Sequence, residues 1–187
     1  HWGFRRNEEE DWRNYFSRMR KHPAWGTKNI VAWDLSVQGA REMNSICTAN
    51  PNIYYFSYVT SNTLLDSTSN RHVPDKSMSY IIRANARLMG MKKAYYADGS
   101  ETDSTWFEND GIVNKKSMLG PTTGNNGSDP IGNYRLNDIL IPGQWYIMGE
   151  YNSDHRKFVG HSLSKKEFDE LMKVYLEHLS LLWTLPN

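Results

Sequence analysis

Gly160-His161-Ser162-Leu163-Ser164 is a stretch of this sequence that suggests chemistry. A serine two residues after a glycine, between an apolar run and a helical pattern, approaches the G-x-S-x-G elbow that exposes a nucleophilic Oγ on a strained turn. The fifth position, however, is Ser164 rather than glycine. Ser164 and Glu167 spell S-K-K-E, a capping box in which two side chains satisfy orphan N–H groups at a helix start. Ser162 then precedes the cap by two residues, so the first N–H groups of the helix do not converge on an oxyanion formed beside it. It is read as a loop residue.

His155 and Asp110 are better placed. His155 follows the apolar segment "QWYIMGEY" (144–151), and in open α/β sheets functional side chains gather in loops beyond the carboxyl ends of strands. Its neighbour Asp154 does not orient it, because adjacent side chains rarely face each other; the carboxylate must come from elsewhere. Asp110, in the tight Asn109-Asp110-Gly111 turn of "FENDGIVN", is the candidate. In an acyl-transfer triad the acid fixes the imidazole tautomer and stabilises the imidazolium, while the histidine shuttles the proton. Against this, Asp110 also reads as an ordinary turn aspartate and His155 as a solvated loop histidine. The remaining histidines, His1, His22, His72, His161 and His178, lack metal-ligand spacing and read as surface residues. The single cysteine, Cys47, excludes an internal disulfide and a multi-cysteine zinc site. It falls on the apolar side of a helical pattern, where a small buried thiol is expected.

The elements around these residues follow from periodicity and punctuation. Residues 8–21 read as a helix, with Trp12, Tyr15, Phe16 and Met19 on one face, acidic residues 8–11 in the first turn, and His22-Pro23 as the stop. "WDLSVQGAREMNSIC" reads as a second helix capped by Ser36, with Val37, Ala40, Met43 and Cys47 on one side and Asn50-Pro51-Asn52 beyond its end. "IYYFSYVT" (53–60) is aromatic and β-branched on both faces, which predicts a strand in the middle of a sheet. Residues 61–76 read as polar loop, "MSYIIRANARLMG" as a helix ended by Gly90, and 97–133 as irregular surface except for the apolar "GIV". A strand over 144–151 and a last helix with Phe168, Leu171, Tyr175, Leu179 and Leu182 as its apolar stripe complete the chain. The alternation of helix and strand implies an α/β fold.

At 187 residues the chain is long enough for one ordinary domain. Its 22 basic and 21 acidic residues nearly cancel, which removes the electrostatic footprint of a nucleic-acid or anionic-membrane binder. No apolar run approaches the roughly 20 residues that span a bilayer. The start "HWGFRR" carries no signal sequence, so location is not read from it.

"HWGFRR" (1–6), "WDLSVQGA" (33–40), "PNIYYFSYVT" (51–60), "WFENDGIVN" (106–114) and "MGEYNSDH" (148–155) together resemble the C-terminal half of the thermoalkalophilic and staphylococcal-type bacterial lipases, in that order and over almost the whole chain. The resemblance implies secreted triacylglycerol hydrolases with an α/β-hydrolase fold, a mostly parallel sheet flanked by helices, whose N-terminal strands, nucleophile elbow and oxyanion hole are absent from this chain. On that view residues 1–33 belong to a cap or lid-associated segment, and 34–187 carry the core with Asp110 as triad acid and His155 as triad base. The substrate would be a lipid ester met at a lipid–water interface, and the other partner the N-terminal half of the same enzyme. The fragment alone would be inactive.

The same resemblance bears on metals. The family's structural calcium is bound by carboxylates just after the triad histidine, at positions that here are Lys157 and Ser162. An ammonium does not ligate a divalent cation, so the calcium site is expected to be lost, with Lys157 bridging two loops by pairing with a carboxylate such as Asp75. The family's zinc takes one ligand that maps to Asp34; the other role open to Asp34 is capping near a helix start. No cofactor is implied for the chemistry itself. A non-catalytic relative with the same fold, serving as a binding or interaction module, and a peptidase or thioesterase on the same fold are the alternatives.

Overall fold

In the computed structural model residues 5–123, 127–128 and 131–186 are described. Helix α1 spans Trp12–Arg20 and starts later than its acidic run predicts. Asp11 is the N-cap, accepting from the Asn14 N–H at 2.8 Å, so Glu8 to Glu10 precede the helix instead of filling its first turn. Glu10 is drawn back along the helix by Arg18, at 2.7 Å. A short α2 (Val31–Asp34) leads into α3 (Val37–Ile46), where Ser36 accepts from the Gly39 N–H at 3.0 Å. Gly39 must lack a side chain, since a Cβ there would lie 2.0 Å from the Trp33 carbonyl oxygen. Helix α3 ends at Ile46, which takes Cys47 off the apolar face and leaves it exposed, contrary to the buried thiol expected.

Among the described residues the main sheet has three strands. β1 (Tyr55–Ser61) lies parallel to β7 (Trp145–Asn152), which in turn lies parallel to β6 (Ile131–Asn133), in the order β1-β7-β6. The aromatic strand predicted for the middle of the sheet is therefore at an edge of the described sheet, and β7 is central. Its burial agrees: Val59 and Thr60 are buried and the rest of β1 is half-buried. Two parallel neighbours still dock aromatic rings across the pair, with Tyr55 stacked on Trp145 at 5.0 Å between centroids.

Residues 61–76 are not simply loop. β2 (Thr63–Asp66) and β3 (Arg71–Pro74) form an antiparallel hairpin, pairing Leu64 with Val73, and Asn70 at the turn takes φ 51°. A 3-10 turn over Tyr80–Ile82 feeds α4 (Arg83–Met89), which Gly90 caps as its sequence indicates. The irregular stretch then carries α5 (Lys115–Met118) and the small pairs β4 (Thr122–Thr123) and β5 (Gly127–Ser128) before β6. α6 (His155–Phe158) is a single turn after β7. α7 (Lys165–Trp183) begins at the complete Ser164/Glu167 capping box read from the sequence.

Met78, Ile82 and Ala86 form a buried cluster. The apolar stripe of α7 is present, but within this chain only Leu171 of it is buried; Phe168, Tyr175, Leu179 and Leu182 face outward. None of the described helices is long and apolar enough to cross a membrane.

Candidate active site

Asp110 is placed by its neighbour. The Asn109 amide donates to the carbonyls of Phe107 (2.8 Å) and Ala86 (3.1 Å), its Oδ1 accepts from the Gly111 N–H (2.9 Å), and its backbone N–H reaches Thr63 Oγ1 (3.2 Å). The backbone carbonyl of Asn109 in turn accepts from the Asn62 N–H at 3.0 Å, just beyond β1. Gly111 completes the turn at φ +96°, where a Cβ would also meet Ile82 at 2.7 Å. The apolar "GIV" closes the turn on the carboxylate, its Ile112 and Val113 backbone N–H groups donating to Asp110 Oδ1 at 3.0 and 2.8 Å.

His155 opens α6 three residues beyond β7. Asp154 caps the turn, its Oδ1 accepting from the Lys157 N–H at 2.9 Å, while its Oδ2 accepts from the Ser79 N–H at 2.7 Å and ties the turn to the start of the α4 region. As the sequence indicates, Asp154 does not face the imidazole.

These two turns meet. His155 Nδ1 lies 3.0 Å from Asp110 Oδ2, and the His155 N–H donates to the Asp110 carbonyl at 3.0 Å. The carboxylate is 0% exposed and the imidazole 39%. An ionised carboxylate only accepts, so Nδ1 carries the proton of this contact and a neutral ring is left with Nε2 as acceptor. No hydroxyl among the described residues is bonded to Nε2. The arrangement can hold a tautomer, take a proton at Nε2, and stabilise the imidazolium that results.

Ser162 takes no part. It sits exposed in the turn after α6 at φ 58°, ahead of the α7 cap. Lys157 does form an ion pair, but not with Asp75: its Nζ lies 2.6 Å from Glu167 Oε1, whereas Asp75 accepts from the Ser77 N–H at 2.7 Å. The reason is the capping box, which holds the Glu167 carboxylate over the start of α7, within reach of α6. Lys157 first, then the Ser164 hydroxyl and N–H, hold the Glu167 carboxyl down at about 2, against an ordinary 4.5. A carboxylate depressed in the fold stabilises it above its unfolded value and loses that contribution as pH falls toward the folded one. Glu167→Gln is therefore expected to destabilise the protein near pH 6 and to differ little from wild type near pH 2. Urea midpoints at the two pH values read this directly, and a gap independent of pH would deny it.

Asp34 is the exposed last residue of α2, and the nearby helix start is capped by Ser36 instead. Among the described residues no group of three or more His, Cys, Asp or Glu is assembled to hold a metal ion. The other histidines are not uniformly superficial. His161 is exposed and His22 accepts from the Ala24 N–H, but His72 and His178 are half-buried, and burial lowers the pKa of both. His178 lies edge-on against Phe56 and Tyr58. His1 is outside the described residues. Thr60, Asn109 and Glu167 have structural roles at this site that their one-letter context did not signal, apart from the capping box for Glu167.

The family model for the lipase-like, C-terminal domain matches residues 1–182. Among curated relatives, a lipase of Staphylococcus hyicus is 28% identical over 162 residues, which is 86% of this chain and 23% of that protein. Lipase 1 of Staphylococcus aureus (strain NCTC 8325 / PS 47) is 26% identical over 164 residues, 87% of this chain and 22% of that protein. The crystal structure of Staphylococcus hyicus lipase superposes with a TM-score of 0.72 at 26% identity, over 97% of this chain and 44% of that one. EstA from Clostridium botulinum gives 0.70 at 34% identity, over 94% and 41%. Lipase 1 from Pelosinus fermentans gives 0.68 at 29%, over 100% and 47%. The chain thus spans less than a quarter of these curated relatives and less than half of the solved chains. Its parallel strands, its helices and the matched residues agree, and the chain belongs to the lipase-like, C-terminal domain family.

Proposed function

We propose that this chain supplies the acid and the base of a serine carboxylic-ester hydrolase of the triacylglycerol-lipase type, Asp110 orienting His155 and His155 activating a serine from polypeptide outside these residues. The supporting observation is the buried carboxylate bonded to Nδ1 of an imidazole whose ring reaches solvent. In this reading the serine Oγ–H proton passes to Nε2 as Oγ bonds to the ester carbon. The imidazolium then protonates the leaving alkoxide as the ester C–O bond breaks, and water repeats the cycle to release the acid and restore the serine. Among the described residues β1 is paired only on its β7 side, which leaves an edge for the strand that would carry the serine, and the outward apolar stripe of α7 is surface for the same segment to cover. Residues 1–33 are assigned to a cap, with Trp12 and Phe16 exposed on α1 toward an apolar substrate. An extracellular location goes with this reading.

Treating the full-length protein with a fluorophosphonate tests it. The expected adduct is on a serine outside these 187 residues. A folded protein that takes no label would leave a binding module as the better description, and an adduct on Ser162 would make that serine the nucleophile and overturn the assignment.

The calcium site of the resembled lipases does not fit here, because Lys157 is committed to Glu167. Asp34 would supply one ligand of the zinc site of the resembled lipases, the others coming from polypeptide outside this chain, and no step is assigned to a metal. A structural calcium held at a hundred times its dissociation constant stabilises by about 2.7 kcal/mol, which is of order several degrees in Tm. Chelator or added calcium is expected to move the Tm of the full-length protein by less than about 2 °C; a shift of several degrees would show that an ion is bound after all.

A further inference from the structure

The Asp110 carboxylate can accept about four hydrogen bonds. Oδ1 is occupied by the N–H groups of Ile112 and Val113, and Oδ2 by Thr60 Oγ1 at 2.8 Å and by His155 Nδ1 at 3.0 Å. Thr60 is the donor that is neither part of the Asp110 turn nor a reacting group: it belongs to β1 and is 4% exposed. Its hydroxyl has one proton and two acceptors in reach, Asp110 Oδ2 and the Met118 sulfur at 3.4 Å. A carboxylate oxygen accepts far more strongly than a thioether, so the proton points to Asp110. The sulfur also takes the Thr60 backbone N–H at 3.2 Å, which holds the threonine in this orientation.

We propose that Thr60 is a positioning residue for the reaction: its hydroxyl locks the Asp110 carboxylate so that the one lone pair left on Oδ2 is aimed at His155 Nδ1. This rests on the ester-hydrolase reading above. Without the hydroxyl, Oδ2 keeps only the His155 contact, the carboxylate can tilt about its two N–H bonds at Oδ1, and the imidazole is held less firmly. Because Thr60 is buried on the sheet side of Asp110, substrate binding is unaffected and the loss falls on kcat.

The test uses the full-length protein with p-nitrophenyl butyrate. Thr60→Val, equal in shape but without the hydroxyl, is expected to lower kcat about 10- to 100-fold with KM within about two-fold, on the scale set by small misplacements of a catalytic group. Thr60→Ser, which keeps the donor, returns kcat to within about three-fold of wild type. If Thr60→Val does not fold, Thr60→Ala with an unchanged melting curve decides, and the same selective loss in kcat is expected. A Val or Ala variant that folds and keeps wild-type kcat overturns the assignment, as does one whose loss lies in KM. A wild-type protein that hydrolyses no ester overturns the hydrolase reading itself and this role with it, a result distinct from an active wild type with an equally active Thr60→Val.

Discussion

Asp110→Asn in the full-length protein is expected to lower kcat for ester hydrolysis about 10⁴-fold while leaving the melting temperature nearly unchanged. The substitution keeps the shape of the side chain and one oxygen for the N–H groups of Ile112 and Val113. What changes is the atom facing His155. An amide nitrogen placed 3.0 Å from Nδ1 donates, so Nδ1 becomes the acceptor and the ring proton moves to Nε2. A ring in that tautomer has no lone pair at Nε2 for the serine proton. Thr60 adapts, because its hydroxyl can accept from the amide while its own proton turns to the Met118 sulfur. The effect is thus electronic, at nearly constant structure. Steady-state kinetics with a soluble ester, together with the rate of fluorophosphonate labelling, measure it. A decrease of less than about ten-fold in both would mean that Asp110 does not select the tautomer and that the acid–base reading is wrong.

The largest loss of stability is expected from Asn109→Ala, about 3–5 kcal/mol, or on the order of 10 °C in Tm. Asn109 is 0% exposed, and its side chain holds the Phe107 carbonyl and the Gly111 N–H and shares the Ala86 carbonyl with the Gly90 N–H. Alanine leaves the Phe107 carbonyl and the Gly111 N–H buried and unpaired, and each such group costs about 1–3 kcal/mol. A cavity is added to that. Asn109→Asp is no remedy, since a carboxylate cannot donate to the two carbonyls and brings a second negative charge beside Asp110. Chemical denaturation of the full-length protein measures the difference. A variant within about 1 kcal/mol of wild type would show that water takes over the two orphaned partners and that the turn is held by its own backbone.

The contrast between these two residues also shows where sequence reasoning stops. Asp110 drew attention as a carboxylate in a tight turn of the kind that places chemistry, whereas Asn109 beside it reads as one more turn asparagine. Its importance lies in Ala86 and Gly111 converging on its amide, and that convergence is written in no local pattern. Thr60 is similar: in the one-dimensional string it ends a β-branched run, and only the folded chain brings Asp110 to its hydroxyl.

Helix ends were legible because capping is settled within four or five residues. Ser36 with Gly39, Ser164 with Glu167, and the stop at Gly90 all stand where a local reading puts them. The late start of α1 at Trp12 is the local exception, and its cause is also local, an aspartate that caps in preference to joining the first turn. The ion pair of Lys157 could not be read in the same way. The charge was evident, but choosing Glu167 over Asp75 required knowing that α6 and the start of α7 lie against each other.

From the order of its residues alone, then, this protein has its main helix caps, its two long strands, its α/β class and a carboxylate and an imidazole beside strands and turns, all of them properties of short segments or of their succession. Tertiary structure decided that β7 lies between β1 and β6 among the described strands, that residues 63–74 pair as a hairpin, that Cys47 is exposed, and that Asp110 and His155 share a hydrogen bond. Those outcomes depend on which distant segments meet, and a side chain's partner across the fold is fixed by packing and not by its neighbours in the chain.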